Sequence, residues 1–331
     1  MRVSVIIPLL NEEQYISELL RCLKNQDYNP EEVEFLFLDG GSSDSTNSII
    51  ISSSELKHYC IIPNPNRTQA WAMKTGVEHA KGDIIIRLDA HADFPSDYIS
   101  ECVKGLEAGL GDNVGGYAVT KGKGRLGRTI AKLLSSKFGV GNSQFRTSVS
   151  SGLVDTVPFG CFYKEYLEKI GGFDTRFDRN EDNEINYRIR KLGGNVYLSD
   201  TIHFTYYCRN TLRGLCQYAK SNGLWNVITM KLVPGSMGIR HFVPLAFLLS
   251  VISLSILSFV HWLFMLLLGI ELTLYFALAI YFALKDASDA IEFFKLVFLF
   301  PLFHICYGYG SLKGLFIQRK YSSSSISKKA N

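Results

Sequence analysis

The chain has 331 residues, 47% hydrophobic and 20% charged, with 22 Phe, 17 Tyr and 3 Trp. That apolar content excludes a disordered, collagen-like or low-complexity protein, and the length allows about two domains. A net charge of +4 is too mild for a nucleic-acid partner, and the only clear basic cluster is the tail.

In chain order, Val3 to Pro8 is a continuous apolar run, as a strand buried on both faces requires. Asn11, with Gln14 three residues on, forms a capping-box pattern, which predicts a helix from Glu12 to about Asn25. Val33 to Leu38 is the second strand, and Asp39-Gly40-Gly41-Ser42-Ser43-Asp44 is the turn leaving it. A helix follows, then a strand near Tyr59 to Ile62, a helix near Thr68 to Ala80 and a strand from Asp83 to Leu88. This alternation implies right-handed βαβ crossovers and a parallel sheet. Such sheets bind ligands at the carboxyl ends of their strands, here Pro8 to Glu12, Asp39 to Asp44 and Asp89 to Asp93. Gly139 to Gly152, rich in Gly and Ser and containing Phe145-Arg146, is expected to be a mobile loop beside a cleft or a plain solvated loop. A helix is expected over Asn183 to Lys191.

The composition changes near residue 240. Phe242 to Val260 carries no formal charge, and Leu263 to Leu284 is interrupted only by Glu271. A spanning helix needs about 20 apolar residues, so helices over about 242–260 and 263–284 are expected to cross a membrane. The competing reading is the buried core of a globular protein. A third run, Phe293 to Tyr309, is shorter and holds Pro301 and His304. Lys231, Arg240, Lys285, Lys313, Arg319, Lys320, Lys328 and Lys329 all fall on one side only if an even number of segments cross. Two crossings are therefore favoured, with the third run re-entrant or interfacial and the basic Ser-rich tail, 313–331, cytosolic. Its last part, Tyr321 to Asn331, is expected to be disordered.

Seven cysteines form no CxxC pair, and their spacing matches no zinc or disulfide framework. Free thiols in a reducing compartment are expected. The N-terminus shows no signal-peptide pattern before the first strand, so the front domain, 1–235, is expected to stay in the cytosol. Neither GxGxxG nor GxxxxGK[ST] occurs, which disfavours a dinucleotide dehydrogenase and a P-loop NTPase. Instead Glu12, Asp39, Asp44, Asp89 and Asp93 stand at successive strand ends. Together they suggest a site for a ligand with donor groups or for a cation.

Five segments in order make the sequence similar to a known family. They are Val5-Ile6-Ile7-Pro8-Leu9-Leu10-Asn11-Glu12, Leu38 to Thr46, Gly82 to His91, Gly171-Gly172-Phe173-Asp174 and Asn180-Glu181-Asp182. The first 230 residues or so resemble family 2 glycosyltransferases of GT-A fold. With Asp89-Ala90-His91, Phe303-His304 and Tyr307-Gly308-Tyr309-Gly310, the chain looks closest to the succinoglycan-biosynthesis glucosyltransferase subgroup.

The resemblance implies a GT-A catalytic domain, α/β and Rossmann-like with a mostly parallel sheet flanked by helices, followed by the transmembrane segment, 236–312. It assigns Asp39 to uracil N3, Pro8 and Glu12 to the turn lining base and ribose, and Arg67 to the far side of the base. A surface role for Arg67 competes. Asp89 and His91 match the DxD motif, whose last residue binds a divalent cation on the diphosphate. His at that position favours Mn²⁺ over Mg²⁺, and Asp93 is an alternative ligand. Asp182 matches the catalytic base, with Glu181 the alternative, at a helix start whose dipole favours an ionised carboxylate. Gln217 matches an acceptor-side position on a helix facing the site, and Arg213, four residues earlier, is expected on the same helix face as a further acceptor-side candidate. Lys220 and Ser221 replace the Arg and Trp of the QxxRW motif, which argues for adding one sugar rather than extruding a polymer. Trp225 either stacks on an acceptor sugar or anchors at the membrane surface.

The activity implied is inverting transfer from a UDP-sugar, glucose favoured, to a polyprenyl-diphosphate-linked saccharide in extracellular polysaccharide assembly. It takes place at the cytosolic face of the membrane, where other assembly proteins are potential partners. Two rivals are a polyprenyl-phosphate sugar synthase, whose ionised acceptor needs no base, and a non-catalytic sugar-nucleotide-binding membrane protein.

Overall fold

The computed structural model describes residues 1–317; the expected disordered tail lies outside the described residues. Its first half alternates β1 (Val3–Leu9), α1 (Ile16–Lys24), β2 (Val33–Asp39), α2 (Thr46–Ser52), β3 (Tyr59–Pro63), α3 (Gln69–His79) and β4 (Ile84–Arg87). These four strands pair in parallel in the order β3-β2-β1-β4, with Val3 beside both Val33 and Ile84. Val5, Ile6, Ile7, Phe37, Leu38, Ile85 and Ile86 are fully buried between the two helical layers. That double burial is why the strands read as unbroken apolar runs. On α1, Ile16, Leu19, Leu20 and Leu23 face the sheet at helical spacing.

The capping box is not formed. Asn11 turns its side chain to the next loop, where its Oδ1 accepts from the Ser43 amide at 2.8 Å. The helix therefore starts four residues later than its pattern suggests, at Ile16, capped by Tyr15 without a side-chain bond.

The rest of the domain comprises β5 (Ala92–Asp93), α4 (Tyr98–Glu107), β6 (Asn113–Lys121), α5 (Gly124–Ser135), α6 (Lys137–Val140), α7 (Gln144–Thr147), β7 (Gly152–Leu153), β8 (Cys161–Tyr163), α8 (Lys164–Lys169), α9 (Glu181–Lys191) and β9 (Val196–Tyr207). β8 inserts antiparallel between β4 and β6, and β9 runs parallel to β6. The long ladders are thus parallel and the short ones antiparallel, in one sheet ordered β3-β2-β1-β4-β8-β6-β9-β5 with β7 on β9. The segment read as a loop, 139–152, contains α7. There the Arg146 guanidinium lies over the rings of Tyr206 (4.7 Å) and Phe145 (5.1 Å), and these stacking contacts order what Gly and Ser alone would leave open.

Beyond the sheet come α10 (Leu212–Leu232), α11 (Val243–Leu257), α12 (Trp262–Asp286) and α13 (Ala290–Phe316). By length and composition, α12 and α13 are long and apolar enough to cross a membrane. α11, with 15 residues, is only about 22 Å long, short of a hydrocarbon core of about 30 Å. The expectation of two full-length helices at 242–260 and 263–284 is thus altered, because Ser258 to Val260 leave the helix in turns. The apolar face of α12 is open: Trp262, Leu274 and Tyr281 are each at least 60% exposed. A globular core helix buries such residues, so the core-helix alternative does not describe α12.

The third apolar run is longer than its sequence suggests, continuing to Phe316 through Pro301 and the glycine-rich Tyr307 to Gly314. Those glycines are contact points, not a stop. A Cβ on Gly310 would lie 2.1 Å from the Lys220 carbonyl oxygen, and one on Gly223 of α10 would lie 2.1 Å from that of Tyr307. Both ends of α13 are tied to the catalytic domain. Asp289 and Glu292 pair with Arg125 (3.1 Å) and Lys132 (2.6 Å) of α5, and Lys231 of α10 donates to the Gly314 carbonyl at 2.9 Å.

Candidate active site

The carboxyl ends of β1, β2 and β4 meet at one edge, and the loops leaving them are sewn together. Asn11 and Glu12 donate their backbone amides to the hydroxyls of Ser42 (2.9 Å) and Thr46 (2.8 Å). Asp39 ends β2, level with Leu9 and one step past Pro8. Its Oδ1 accepts from the Ser42 amide (3.0 Å) and hydroxyl (2.7 Å), and its Oδ2 from Asn47 (2.8 Å). Partial burial raises this carboxyl, but the bonds from Ser42, Asn47 and Gly41 outweigh it and hold the group below its usual range. The Arg67 side chain comes within 3.6 Å of where a Gly41 Cβ would stand. Arg67 therefore overhangs the Asp39 turn.

At the end of β4, Arg87 is buried, 6% exposed. Its guanidinium gives Nη1 to Glu181 Oε1 at 2.8 Å and Nη2 to Asp89 Oδ1 at 3.3 Å. Burial disfavours this cation, but Asp89, Glu181 and Asp182 together raise its pKa and keep it charged. Arg87 thus joins two motifs more than 90 positions apart in sequence. Glu181 is the member of the group whose charge is costly. Burial pushes its carboxyl up to about 7, Arg87 opposes, and Asp182 adds to the rise. Asp182, next along α9, is only partly buried; its Oδ1 accepts from the Asn183 amide at 2.8 Å.

The sign of the Glu181 shift sets a pH dependence. Its folded-state pKa lies above the unfolded value, so its contribution to stability is fully present below about 4.5 and lost as pH rises through about 7. Thermal unfolding across pH 5–8 is expected to show this decline in the wild type and a flatter profile in Glu181→Gln. Equal slopes would refute it.

His91 lies beyond Asp89, with Nδ1 3.4 Å from Glu12 Oε1. The Glu12 contact, against burial and with help from Asp89, raises the imidazole pKa. Two carboxylates that draw a proton onto an imidazole would equally draw a divalent cation, so Asp89 and His91 fit such an ion. Asp93, the alternative ligand, is engaged elsewhere: it accepts from the Tyr207 hydroxyl and lies beside Glu18 and Cys22 of α1. Arg209, after β9, is close enough to His91 to oppose that rise.

Among the described residues, four non-glycine positions have left-handed backbones: Asn11 (φ +55°), Arg67 (+59°), Phe159 (+50°) and Asn180 (+65°). All belong to this site, Phe159 by placing its ring 5.9 Å from the Arg87 guanidinium. Strain of this kind gathers where function fixes the geometry. Of the sequence candidates, Pro8, Glu12, Asp39, Asp89 and His91 stand at or just beyond these strand ends and Arg67 overhangs them from the loop after β3, while Glu181 and Asp182 open α9 and meet them through Arg87. Arg213 and Gln217 lie outside this network, exposed one turn apart on α10, and Trp225 is buried, 8% exposed, further along that helix. Sequence reasoning gave no role to Arg87 or Phe159. The signal for Arg87 was a charge inside the buried run Ile84 to Leu88; nothing in the sequence marks Phe159.

Comparison with known proteins agrees with this geometry. Residues 4–170 match the model of glycosyl transferase family 2. A Methanococcus voltae dolichyl N-acetyl-alpha-D-glucosaminyl phosphate 3-beta-D-2,3-diacetamido-2,3-dideoxy-beta-D-glucuronosyltransferase is 30% identical over 95% of this chain and 97% of its own. The succinoglycan biosynthesis protein ExoA of Rhizobium meliloti is 29% identical over 78% of each chain. Among solved structures, the mannosyltransferase PcManGT from Pyrobaculum calidifontis, in complex with GDP-Man and Mn²⁺, superposes with a TM-score of 0.61. It is 19% identical, over 95% of this chain and 87% of its own. A GT-A sheet carrying the family's motifs at its strand ends, with a full-length relative, leads to one conclusion: the chain belongs to the family 2 glycosyltransferases.

Proposed function

We propose that the protein transfers one sugar, glucose favoured, from a UDP-sugar to a hydroxyl of a polyprenyl-diphosphate-linked saccharide, with inversion. The observation that carries this reading is Arg87, which gathers Asp89 on the donor side with Glu181 and Asp182 on the acceptor side. Asp39 accepts from uracil N3–H, a role suited to a carboxylate held ionised, while Pro8, Glu12 and Arg67 frame base and ribose. Asp89 and His91 hold a divalent cation, Mn²⁺ favoured by the imidazole; when bound, it supplies Lewis-acid neutralisation of the departing UDP.

Asp182 accepts the proton of the acceptor hydroxyl as that oxygen bonds to the anomeric carbon and the bond to the diphosphate breaks. The burial of Glu181 against Arg87 supports giving this role to Asp182. Arg213 and Gln217 face the acceptor, and the burial of Trp225 supports a packing role for its ring. The exposed apolar face of α12 supports anchoring in a membrane; its being the cytoplasmic membrane, with the catalytic domain on the cytosolic side, rests on the placement of Lys and Arg in the sequence. The dolichyl phosphate in one relative's name and succinoglycan in another's support a lipid-linked acceptor and a surface polysaccharide product.

The test is UDP release by the full chain in detergent with Mn²⁺ or Mg²⁺ and a panel of UDP-sugars. Each donor is tried alone, with lipid-linked saccharide and with polyprenyl phosphate. Release stimulated by the saccharide supports the reading and names the donor. Stimulation by polyprenyl phosphate alone replaces it with the phosphate-acceptor synthase. Absence of release with every donor leaves a non-catalytic nucleotide-sugar binder.

A further inference from the structure

We propose that Asn226 and Tyr307 are positioning residues, through which the last helix holds the catalytic end of α9 in place; the inference rests on Asp182 being the base. Asn180, immediately before α9, has a left-handed backbone (φ +65°, ψ +22°), which a non-glycine residue keeps only when its surroundings hold it. They do so here. Its Nδ2 donates to Asn226 Oδ1 at 2.7 Å and to Thr229 Oγ1 at 3.1 Å, both on α10. Its neighbour Arg179 donates to Ser221 Oγ on the same helix at 2.8 Å.

The Asn226 amide reaches further out. Its Nδ2 donates to the Tyr307 hydroxyl on α13 and to His241 Nδ1 at 3.1 Å. Oxygen and amide of Asn226 are thus all engaged. His241 is suited to accept, because burial, with Arg240 beside it, pushes its pKa down to about 4 and keeps it neutral. Tyr307 comes this close because Gly223 lets the α13 backbone lie directly on α10.

The inner end of the chain of bonds is the start of α9. The Asn180 carbonyl accepts from the Glu184 amide at 3.0 Å, closing the turn that carries Glu181 and Asp182. A displacement of Asn180 therefore displaces the Asp182 carboxylate. Asn226 and Thr229 are buried, and bonds in such low-dielectric surroundings are stiff.

Two variants of the full-length protein in detergent test this. Tyr307→Phe removes only the hydroxyl. Asn180→Gly removes the anchor while leaving the left-handed backbone accessible. Turnover per UDP-binding site, counted by calorimetric titration with UDP, is expected to fall about 10- to 100-fold in both. The donor KM is expected to stay within about twofold. Hydrogen exchange at residues 181–185 is expected to quicken in both. Turnover per site within about twofold of wild type overturns the proposal, as does unchanged exchange at 181–185. Loss of UDP-binding sites at unchanged turnover per site overturns it too, since it marks a purely structural role. If the wild type transfers no sugar, the reading of Asp182 fails separately, and the exchange data alone decide the positioning role.

Discussion

Asp182→Asn is expected to lower sugar transfer by about 10²–10⁴-fold, the span that a positioned general base supplies. The substitution keeps the size of the side chain and its bond from the Asn183 amide but abolishes its power to take a proton. Affinity for the UDP-sugar, measured by calorimetry, is expected to change by no more than about twofold, because the role proposed for the group is on the acceptor hydroxyl. The pair of readouts discriminates. Lost turnover with retained binding fits the base, whereas full turnover fits an acceptor that arrives already ionised. Glu181→Gln is the companion variant, expected to retain more transfer than Asp182→Asn because Glu181 is buried on Arg87.

Arg87→Met produces the largest loss of stability expected of any single substitution at the site. It removes a buried cation on which Asp89, Glu181 and Asp182 all act and leaves Glu181 buried without its ion-pair partner Arg87. Breaking one side of a buried ion pair costs about 3–5 kcal/mol, read as a fall in the thermal midpoint at pH 8. The loss shrinks toward pH 5, where Glu181, with its pKa near 7, is protonated. Adding Glu181→Leu to Arg87→Met restores part of the stability, and the double-mutant cycle gives the coupling. A midpoint equal to wild type at pH 8 would remove Arg87 from the centre of the site.

Most of the parallel half of the sheet was legible because β1, β2 and β4 are buried on both faces, so Val3 to Pro8, Val33 to Leu38 and Asp83 to Leu88 announce themselves by composition alone. The acidic residues that follow were legible for a related reason: charge immediately after such a run marks a strand end. What escaped the sequence depends on contacts between distant segments. The Asn11 side chain has two local roles open to it, helix cap or loop brace, and Ser43, 32 positions away, decides between them. Tyr307 to Gly314 has the composition of a helix end but continues as helix, because Gly310 and Gly314 meet α10 and Gly308 meets α11. Arg87 was hidden in another way. Its partner Glu181 is nearly 100 residues distant, and no periodicity reports such a pairing.

The seam between α10 and α13 also bears on how the enzyme is made. The sheet is complete in sequence at Tyr207, whereas the helix that lies on α10 does not end until Phe316. At about 5–20 residues per second of synthesis, the ribosome needs several seconds to cover that interval. During it the proposed donor side of the site has all its residues, but α10 still lacks its companion. A nascent or truncated molecule would thus hold donor-side groups in a domain whose base is unbraced. With the positioning role proposed for Tyr307, the working form would be reached only after α13, one of the two helices long and apolar enough to cross a membrane, has been synthesised.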